Sequence, residues 1–362
     1  MLVLIYILFT VALILLIFEL FIYSSLNKLF RFQELERSEL NISIIIAARN
    51  EAKNIPSLIS ALINQSYSKD NFEVIIVDDN STDNTYKNVE NATIGLDNFR
   101  ITKCETKLFK GKRGALDVGI KLAKHPYILI TDADCEPEKE WVNSFANNFK
   151  NGNDFVFGIA PYKVTKSFTN LVSRFENLRA SIIVFAFAKL GLPYSATARS
   201  FGFSKNAFMN IGGYKNTTET LSGDDDLLLR EAVKNNLNIG LVTNSSAFVF
   251  SKTKEKFSEY VNQKSRHTST SIYYSLKNKL LLGCWHLLNL FSLFSIFLLP
   301  FGTEFIFPIF IKLVIDIFIL NNFQNNFGYK INPLWFIILQ INYELNLVYF
   351  FFKGLNFSNR WE

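Results

Sequence analysis

The chain has 362 residues, 49% of them hydrophobic, with a formal net charge of +6. That length allows one large domain, or a medium domain with a membrane part. The three cysteines (Cys104, Cys135, Cys284) lie far apart without metal-ligand spacing, which argues against a disulfide framework and fits a reducing compartment. No basic stripe with interleaved aromatics accompanies the positive charge, so nucleic-acid binding is a poor explanation of it.

Residues 2–23, LVLIYILFTVALILLIFELFIY, carry Glu19 as their one charge. Such a run crosses a bilayer core of roughly 30 Å at about 1.5 Å per residue. A cleaved signal peptide would open with basic residues and end in small ones. Here bulky Phe21, Ile22 and Tyr23 close the run, so residues 1–25 are expected to be a retained anchor. Lys28, Arg31 and Arg37 follow it and place the bulk of the chain on the cytoplasmic side.

From Asn41 to about Phe250 the sequence reads as an α/β domain. ISIIIAA (42–48) and FEVIIVDD (72–79) are continuous apolar runs, as in strands buried on both faces of a parallel sheet. Between them Ile55, Leu58, Ile59, Leu62 and Ile63 recur at helical spacing behind Pro56. STDNTYKNV opens a second helix, FRIT is a weaker strand, a helix follows Lys112, and YILITD (127–132) is another strand. The alternation predicts a mostly parallel, doubly wound sheet, whose ligands bind beyond the carboxyl ends of its strands. Arg49-Asn50-Glu51, Asp78-Asp79 and Asp132-Asp134 all fall at such ends.

Past residue 280 the chain turns apolar again. Residues 280–301 have no charge and predict a membrane span. Residues 305–320 carry Lys312 and Asp316, four apart and so on one helical face. Residues 334–352 contain Gln340, Asn342, Glu344 and Asn346, and read either as a span within a bundle or as an interfacial helix. Residues 251–279, which include QKSRH, form the membrane-proximal segment before them.

Several clusters carry chemistry. In an extended segment Asp132 and Asp134 point the same way and can face one hard cation. Solvated loop acids are the bland reading of a bare Asp-x-Asp. Asp78 and Asp79 can accept hydrogen bonds from a nucleobase or ribose. KGKRGALDVG places Lys110, Lys112 and Arg113 in a glycine-flanked turn that opens a helix and suits a phosphate. Asp224, Asp225 and Asp226 enter another helix, where the dipole alone accounts for them. Packed like charges raise one another's pKa, however, and such a carboxylate can act as a general base. Gln263 and Arg266 are three apart on one helical face, and Arg266 can clamp a diphosphate.

In their order and spacing, IIIAARNEAKNI, VIIVDDNSTDNT, GKRGAL, LITDADCEPEKEW, NIGGY, GDDDLLL and QKSRH resemble the family 2 inverting glycosyltransferases of GT-A fold. The resemblance covers about residues 42–267. It implies a GT-A nucleotide-sugar-binding domain over 41–250, with one N-terminal and about three C-terminal transmembrane or interfacial helices, the latter over 280–352. It also implies that Ala48, Arg49, Glu51, Asp78 and Asp79 contact the nucleotide and that Lys112 lies near the diphosphate. Asp132 and Asp134 would bind nucleotide and a Mg2+ or Mn2+ ion. The family's base is the second acid of a Glu-Asp pair. Asn236 stands where the glycine closing that helix is expected, which counts back to Asp225 as base and Asp224 as the glutamate counterpart. A one-residue slip to Asp224 stays open.

Gln263, Arg266 and His267 stand for a Gln-x-x-Arg-Trp motif, with histidine in place of tryptophan, and Ala47 and Ala48 stand where a proline commonly precedes the Arg-Asn-Glu turn. The implied activity is transfer from a UDP- or GDP-sugar to a lipid or lipid-linked glycan, at a bacterial-type inner membrane with the catalytic domain cytoplasmic. A processive polysaccharide synthase and an inactive membrane scaffold are the alternatives. A sugar-phosphate nucleotidyltransferase would open with a glycine-rich basic turn, where this chain has AARNEAKN.

Overall fold

The computed structural model describes residues 2–31 and 35–355. Its elements begin with helix α1 (Leu2–Leu29), strand β1 (Ile42–Ala48), α2 (Ile55–Ile63), β2 (Phe72–Asp78), α3 (Thr85–Ala92) and β3 (Phe99–Lys103). They continue with α4 (Lys112–Leu122), β4 (Tyr127–Ile130), β5 (Cys135–Pro137), α5 (Trp141–Lys150), β6 (Phe155–Gly158) and α6 (Phe168–Lys189). Next come β7 (Phe201–Ser204), α7 (Lys205–Asn210), α8 (Asp224–Lys234), β8 (Ile239–Val242) and β9 (Val249–Ser251). The last are α9 (Phe257–Ser269), α10 (Leu276–Phe294), α11 (Phe307–Phe323) and α12 (Phe336–Leu355). The chain divides into two compact units, one of 32–163 with 195–252, the other of 1–31 with 164–194 and 253–357. The stretch expected to form one catalytic domain, 41–250, is thus interrupted by α6, whose neighbours include α1, α9 and α12.

The first unit is built on a seven-stranded sheet in the order β3-β2-β1-β4-β7-β6-β8. Strands β3, β2, β1 and β4 run parallel, and β7 runs antiparallel to β4 and β6. The continuous apolar runs are explained by cover on both faces. Ile44 and Ile46 of β1 share a buried cluster with Leu58 and Leu62 of α2 and Trp141 of α5. Helix α4 packs on β1 and β2 so closely that a Cβ on Gly119 would lie 2.4 Å from Ile45 Cγ2. Each fully buried Ile or Leu is worth roughly 1.5–3 kcal/mol. The strand order reverses between β1 and β4, which places Ala48, Asp78 and Asp132 at one edge of the switch point.

In the second unit α1 packs on α6, α10 and α11, and α12 packs on α9. Among the described residues, three helical stretches are long and apolar enough to cross a membrane: Ile5–Leu29, Leu276–Phe301 and Pro333–Leu355. Helix α11 has 17 residues and carries the two charges expected to share a face. They do so as an ion pair, Lys312 Nζ to Asp316 Oδ2 at 2.6 Å. The pair belongs to a buried network. Lys312 also donates to Asn289 Oδ1 at 2.6 Å and lies 3.5 Å from Glu344, while Arg179 lies 3.3 Å from Asp316.

Removing one partner of a buried ion pair leaves the other charge uncompensated. Lys312→Ala is therefore expected to cost about 3–5 kcal/mol, read as a large fall in the thermal unfolding midpoint of the detergent-purified chain. Lys312→Ala unfolding at the wild-type temperature would show that the network does not hold this unit together.

Candidate functional site at the strand ends

The turns after β1 and β2 are knitted to each other. Asp79 N donates to Ala48 O at 2.8 Å, Thr82 N to Asn50 Oδ1 at 2.8 Å, and Glu51 N to Thr85 Oγ1 at 2.7 Å. Asn50 and Asn80 hold φ of 56° and 57°, a left-handed conformation that asparagine tolerates better than most residues. Arg49 is exposed at the surface of this turn, and the Glu51 carboxylate accepts from Asn54 Nδ2 at 2.7 Å. Asp78 and Asp79 are buried, and Lys107 Nζ reaches Asp79 Oδ1 at 2.6 Å. Asp78 Oδ1 and Asp79 Oδ2 are buried without a hydrogen-bond partner among the described residues. Orphaned buried acceptors are costly, so these two oxygens fit a ligand that brings donors.

Past β4 the chain turns instead of staying extended as expected: Cys135 N donates to Asp132 O at 3.1 Å, closing a turn through Ala133 and Asp134. Asp132 and Asp134 are half-buried and Ala133 is buried. Oxygens of the two aspartates and the Cys135 sulfur all lie within 4.8 Å of one another. Burial, then the charges of Asp134 and Asp132, push the Cys135 thiol up and keep it protonated, which makes it a poor ligand. The remaining pair of carboxylates fits a hard, oxygen-preferring cation such as Mg2+ or Mn2+.

Lys112, the first residue of α4, forms an ion pair with Asp132 Oδ1. Gly111 precedes it at φ 68°, and a Cβ on Gly114 would lie 2.1 Å from Phe109 O, so the turn closes only with glycines there. Burial works to lower the Lys112 pKa. The charges of Asp132, Asp224 and Asp225 overcome it and hold the ammonium above its ordinary range.

The acidic triplet forms the first turn of α8, and its members have separate partners. Asp226 Oδ1 accepts from Ser195 Oγ at 2.7 Å and Ala196 N at 3.0 Å. Asp225 Oδ2 accepts from Ala198 N at 2.7 Å. Burial, then the charges of Asp226 and Asp224, push the Asp225 carboxyl well above the usual range, with Lys112 opposing them. At the far end of α8, Asn236 takes φ 55°, the conformation the expected glycine would supply. Leu237 N donates to Ala232 O and Asn236 N to Val233 O, both at 3.1 Å, closing the helix as a Schellman turn.

The switch-point edge thus brings together Asp132, Asp134, Lys112, Asp224 and Asp225, with Ala48, Glu51, Asp78 and Asp79 on the adjoining strand ends. Gln263, Arg266 and His267 belong to α9 of the helical unit. There Gln263 and Arg266 are half-buried, His267 is exposed, and the intervening Lys264 is paired with Glu176 of α6 at 2.5 Å. Two cations escaped the sequence reading. Lys107 looks like any lysine of a basic turn until the fold sets it on Asp79. Arg199, its guanidinium 4.4 Å from the centre of the Tyr162 ring, has no motif around it.

Residues 43–212 match the model of glycosyl transferase family 2. The chain carries a family 2 glycosyltransferase domain. The probable glycosyltransferase YdaM of Bacillus subtilis is 26% identical over 65% of this chain and 56% of its own length. An Escherichia coli protein, UDP-Glc:alpha-D-GlcNAc-diphosphoundecaprenol beta-1,3-glucosyltransferase WfaP, is 32% identical over 35% of this chain and 48% of its own. The chain therefore spans about half the length of these curated relatives. The mannosyltransferase PcManGT of Pyrobaculum calidifontis, solved with GDP-Man and Mn2+, superposes with a TM-score of 0.62 at 16% identity, over 96% of this chain and 99% of its own. The likeness shows that the glycosyltransferase domain has the GT-A fold.

The left-handed Asn236 gives a test of where α8 ends. Asn236→Ala is expected to lower stability by about 1–2 kcal/mol, the cost of a left-handed alanine, while Asn236→Gly is tolerated. Thermal unfolding of the two variants checks this, and equal behaviour would place the helix end elsewhere.

Proposed function

We propose that the protein is a membrane-bound, inverting glycosyltransferase. It moves a sugar from a nucleoside-diphosphate sugar to a lipid or lipid-linked glycan, with Asp225 as general base and a divalent cation on Asp132 and Asp134. The observation that carries this reading is the convergence of Lys112, the Asp132–Asp134 pair and a half-buried Asp225 of raised pKa at one sheet edge. A raised carboxyl pKa suits a base that must take a proton near neutral pH.

The chemistry needs a single displacement. Asp225 takes the proton of the acceptor hydroxyl as that oxygen bonds to the anomeric carbon, and the bond from that carbon to the diphosphate breaks on the opposite face. Lys112 supplies positive charge for the departing diphosphate. A bound divalent cation would add the neutralisation a lysine alone does not. The orphaned oxygens of Asp78 and Asp79 receive the donors of the base or ribose, and Arg49 and Glu51 flank them. The family resemblance would assign Gln263, Arg266 and His267 to the diphosphate or acceptor side.

A lipid-borne acceptor is supported by the three helices able to cross a membrane and by the undecaprenyl-linked acceptor in the name of WfaP. Lys28 in the last turn of α1 and Arg31 just beyond it favour a cytoplasmic catalytic domain at an inner membrane. The donor is a UDP- or GDP-sugar, the two classes that the WfaP and PcManGT descriptions contain.

The test is release of nucleoside diphosphate by detergent-purified protein from a panel of UDP- and GDP-sugars, with Mn2+ or Mg2+ and a membrane-lipid extract. One donor is expected to turn over with extract and metal, and Asp225→Asn is expected to slow it by about 100- to 10,000-fold. A wild-type rate in Asp225→Asn would remove Asp225 from the role of base.

The pH dependence follows from the sign of the Asp225 shift. Only the carboxylate accepts a proton, so kcat falls as pH drops through the raised pKa. The acid limb is expected well above the ordinary aspartate value of about 3.9. Lys112→Met removes a charge that lowers that pKa, so the limb moves further up. A limb that stays at ordinary carboxylate values in both proteins would contradict the assignment.

A further inference from the structure

One segment of the glycosyltransferase domain has connections that the proposed reaction does not use. Residues 195–200 run between the acidic turn of α8 and strand β7, and hydrogen bonds fasten them at both ends. On one side Ser195 Oγ and Ala196 N donate to Asp226 Oδ1, and Ala198 N donates to Asp225 Oδ2 at 2.7 Å. On the other, Thr131 Oγ1, one residue before Asp132, donates to Arg199 O at 2.7 Å. Trp141 Nε1 donates to Ser200 Oγ at 3.1 Å, and all three of Thr131, Trp141 and Ser200 are buried.

The Arg199 side chain secures the middle of this run. Its guanidinium lies over the Tyr162 ring at 4.4 Å and donates to Ser251 Oγ. Ser251 in turn stands opposite Cys135 in the β5–β9 ladder, directly after Asp134. A planar guanidinium that stacks and hydrogen-bonds at once is held in one orientation, which an ammonium does not reproduce.

From these contacts we infer that residues 195–200 form a positioning strap that ties Asp225 to the strand end carrying Asp132 and Asp134, and that Arg199 is the positioning residue that keeps it seated. The inference rests on Asp225 being the base. Arg199 acts through the backbone N–H of Ala198, which fixes one oxygen of Asp225 and leaves the other for the acceptor proton. Loss of the stack frees the strap, and the carboxylate then loses both its orientation and a donor that favours its charged form. The cost falls on the chemical step, where a displacement of about 1 Å can reduce a rate on the order of 100-fold.

The experiment has two arms on the full-length detergent-purified protein. The first needs no activity: amide hydrogen exchange of peptides covering 195–200 in wild type, Arg199→Gln, Ser251→Ala and Asp225→Asn. Faster exchange of the strap in all three variants, with the β1 and β2 peptides unchanged, is the expected result. Strap exchange at the wild-type rate in Arg199→Gln and Ser251→Ala would overturn the proposal, whatever the enzyme's substrate.

The second arm is a double-mutant cycle on kcat and donor KM. Arg199→Gln is expected to lower kcat by about 10- to 100-fold with donor KM within about threefold, and to shift the acid limb upward. Arg199→Lys is expected to restore only part of the loss. In an Asp225→Asn background Arg199→Gln is expected to change kcat no further, because the strap acts through that carboxylate. Additive losses, or a raised donor KM at unchanged kcat, would overturn the proposal and make Arg199 a donor contact. A wild-type rate in Asp225→Asn alone would instead show that the assignment of the base has failed.

Discussion

The structure at the switch-point edge depends on holding carboxylates closer together than they would choose to be. Asp132 and Asp134 lie close together in the turn after β4, and Asp224, Asp225 and Asp226 fill the first turn of α8. Each adds negative charge to a region that burial has partly removed from water, where repulsion is strong. Three devices make this tolerable. Lys112 is lodged against Asp132 in the field of Asp224 and Asp225, the positive end of α8 faces its own aspartates, and backbone N–H groups of Ala196 and Ala198 bond to two of them. What remains is a site short of positive charge, and a diphosphate-bound dication would supply it.

The helical unit meets the same problem in a drier setting. Arg179, Lys312, Asp316 and Glu344 are all buried there, on three helices, and Arg179 and Lys312 compensate Asp316 and Glu344 through direct contacts. Buried ion pairs seldom add net stability over apolar packing, yet they penalise any register that separates the partners. A bundle of apolar helices has few other means of distinguishing one register from the next. The charges that make α11 look like a poor membrane segment in isolation are thus what fixes its neighbours.

Much of the glycosyltransferase domain was legible because its signals are local. ISIIIAA and FEVIIVDD are dominated by apolar residues, as strands covered on both sides must be, and they are β1 with the expected bounds and β2 ending one residue earlier, at Asp78. Aspartates directly after such runs could only lie at strand ends. The proximity of Asp132 and Asp134 was expected of an extended pair, whereas they come together across a turn closed by Cys135 N on Asp132 O. The substitution of Asn236 for a glycine was readable because asparagine is the next residue to accept the left-handed turn, and its φ agrees. What could not be read were pairings across long separations. Lys107 meets Asp79, Arg199 meets Ser251 and Lys264 meets Glu176 through the path of the chain alone, and no spacing in the sequence encodes them. The grouping of α6 with helices far away in sequence is illegible for the same reason.

The central claim is that the carboxylates at the switch-point edge form a site for a nucleoside diphosphate and a divalent cation. Its most direct test is the binding of Mn2+ to the purified protein, followed by electron paramagnetic resonance with and without UDP or GDP. One nucleoside diphosphate is predicted to make Mn2+ binding markedly tighter, and Asp134→Ala is predicted to abolish that gain. Mn2+ binding indifferent to either nucleotide, or unchanged in Asp134→Ala, would contradict the account.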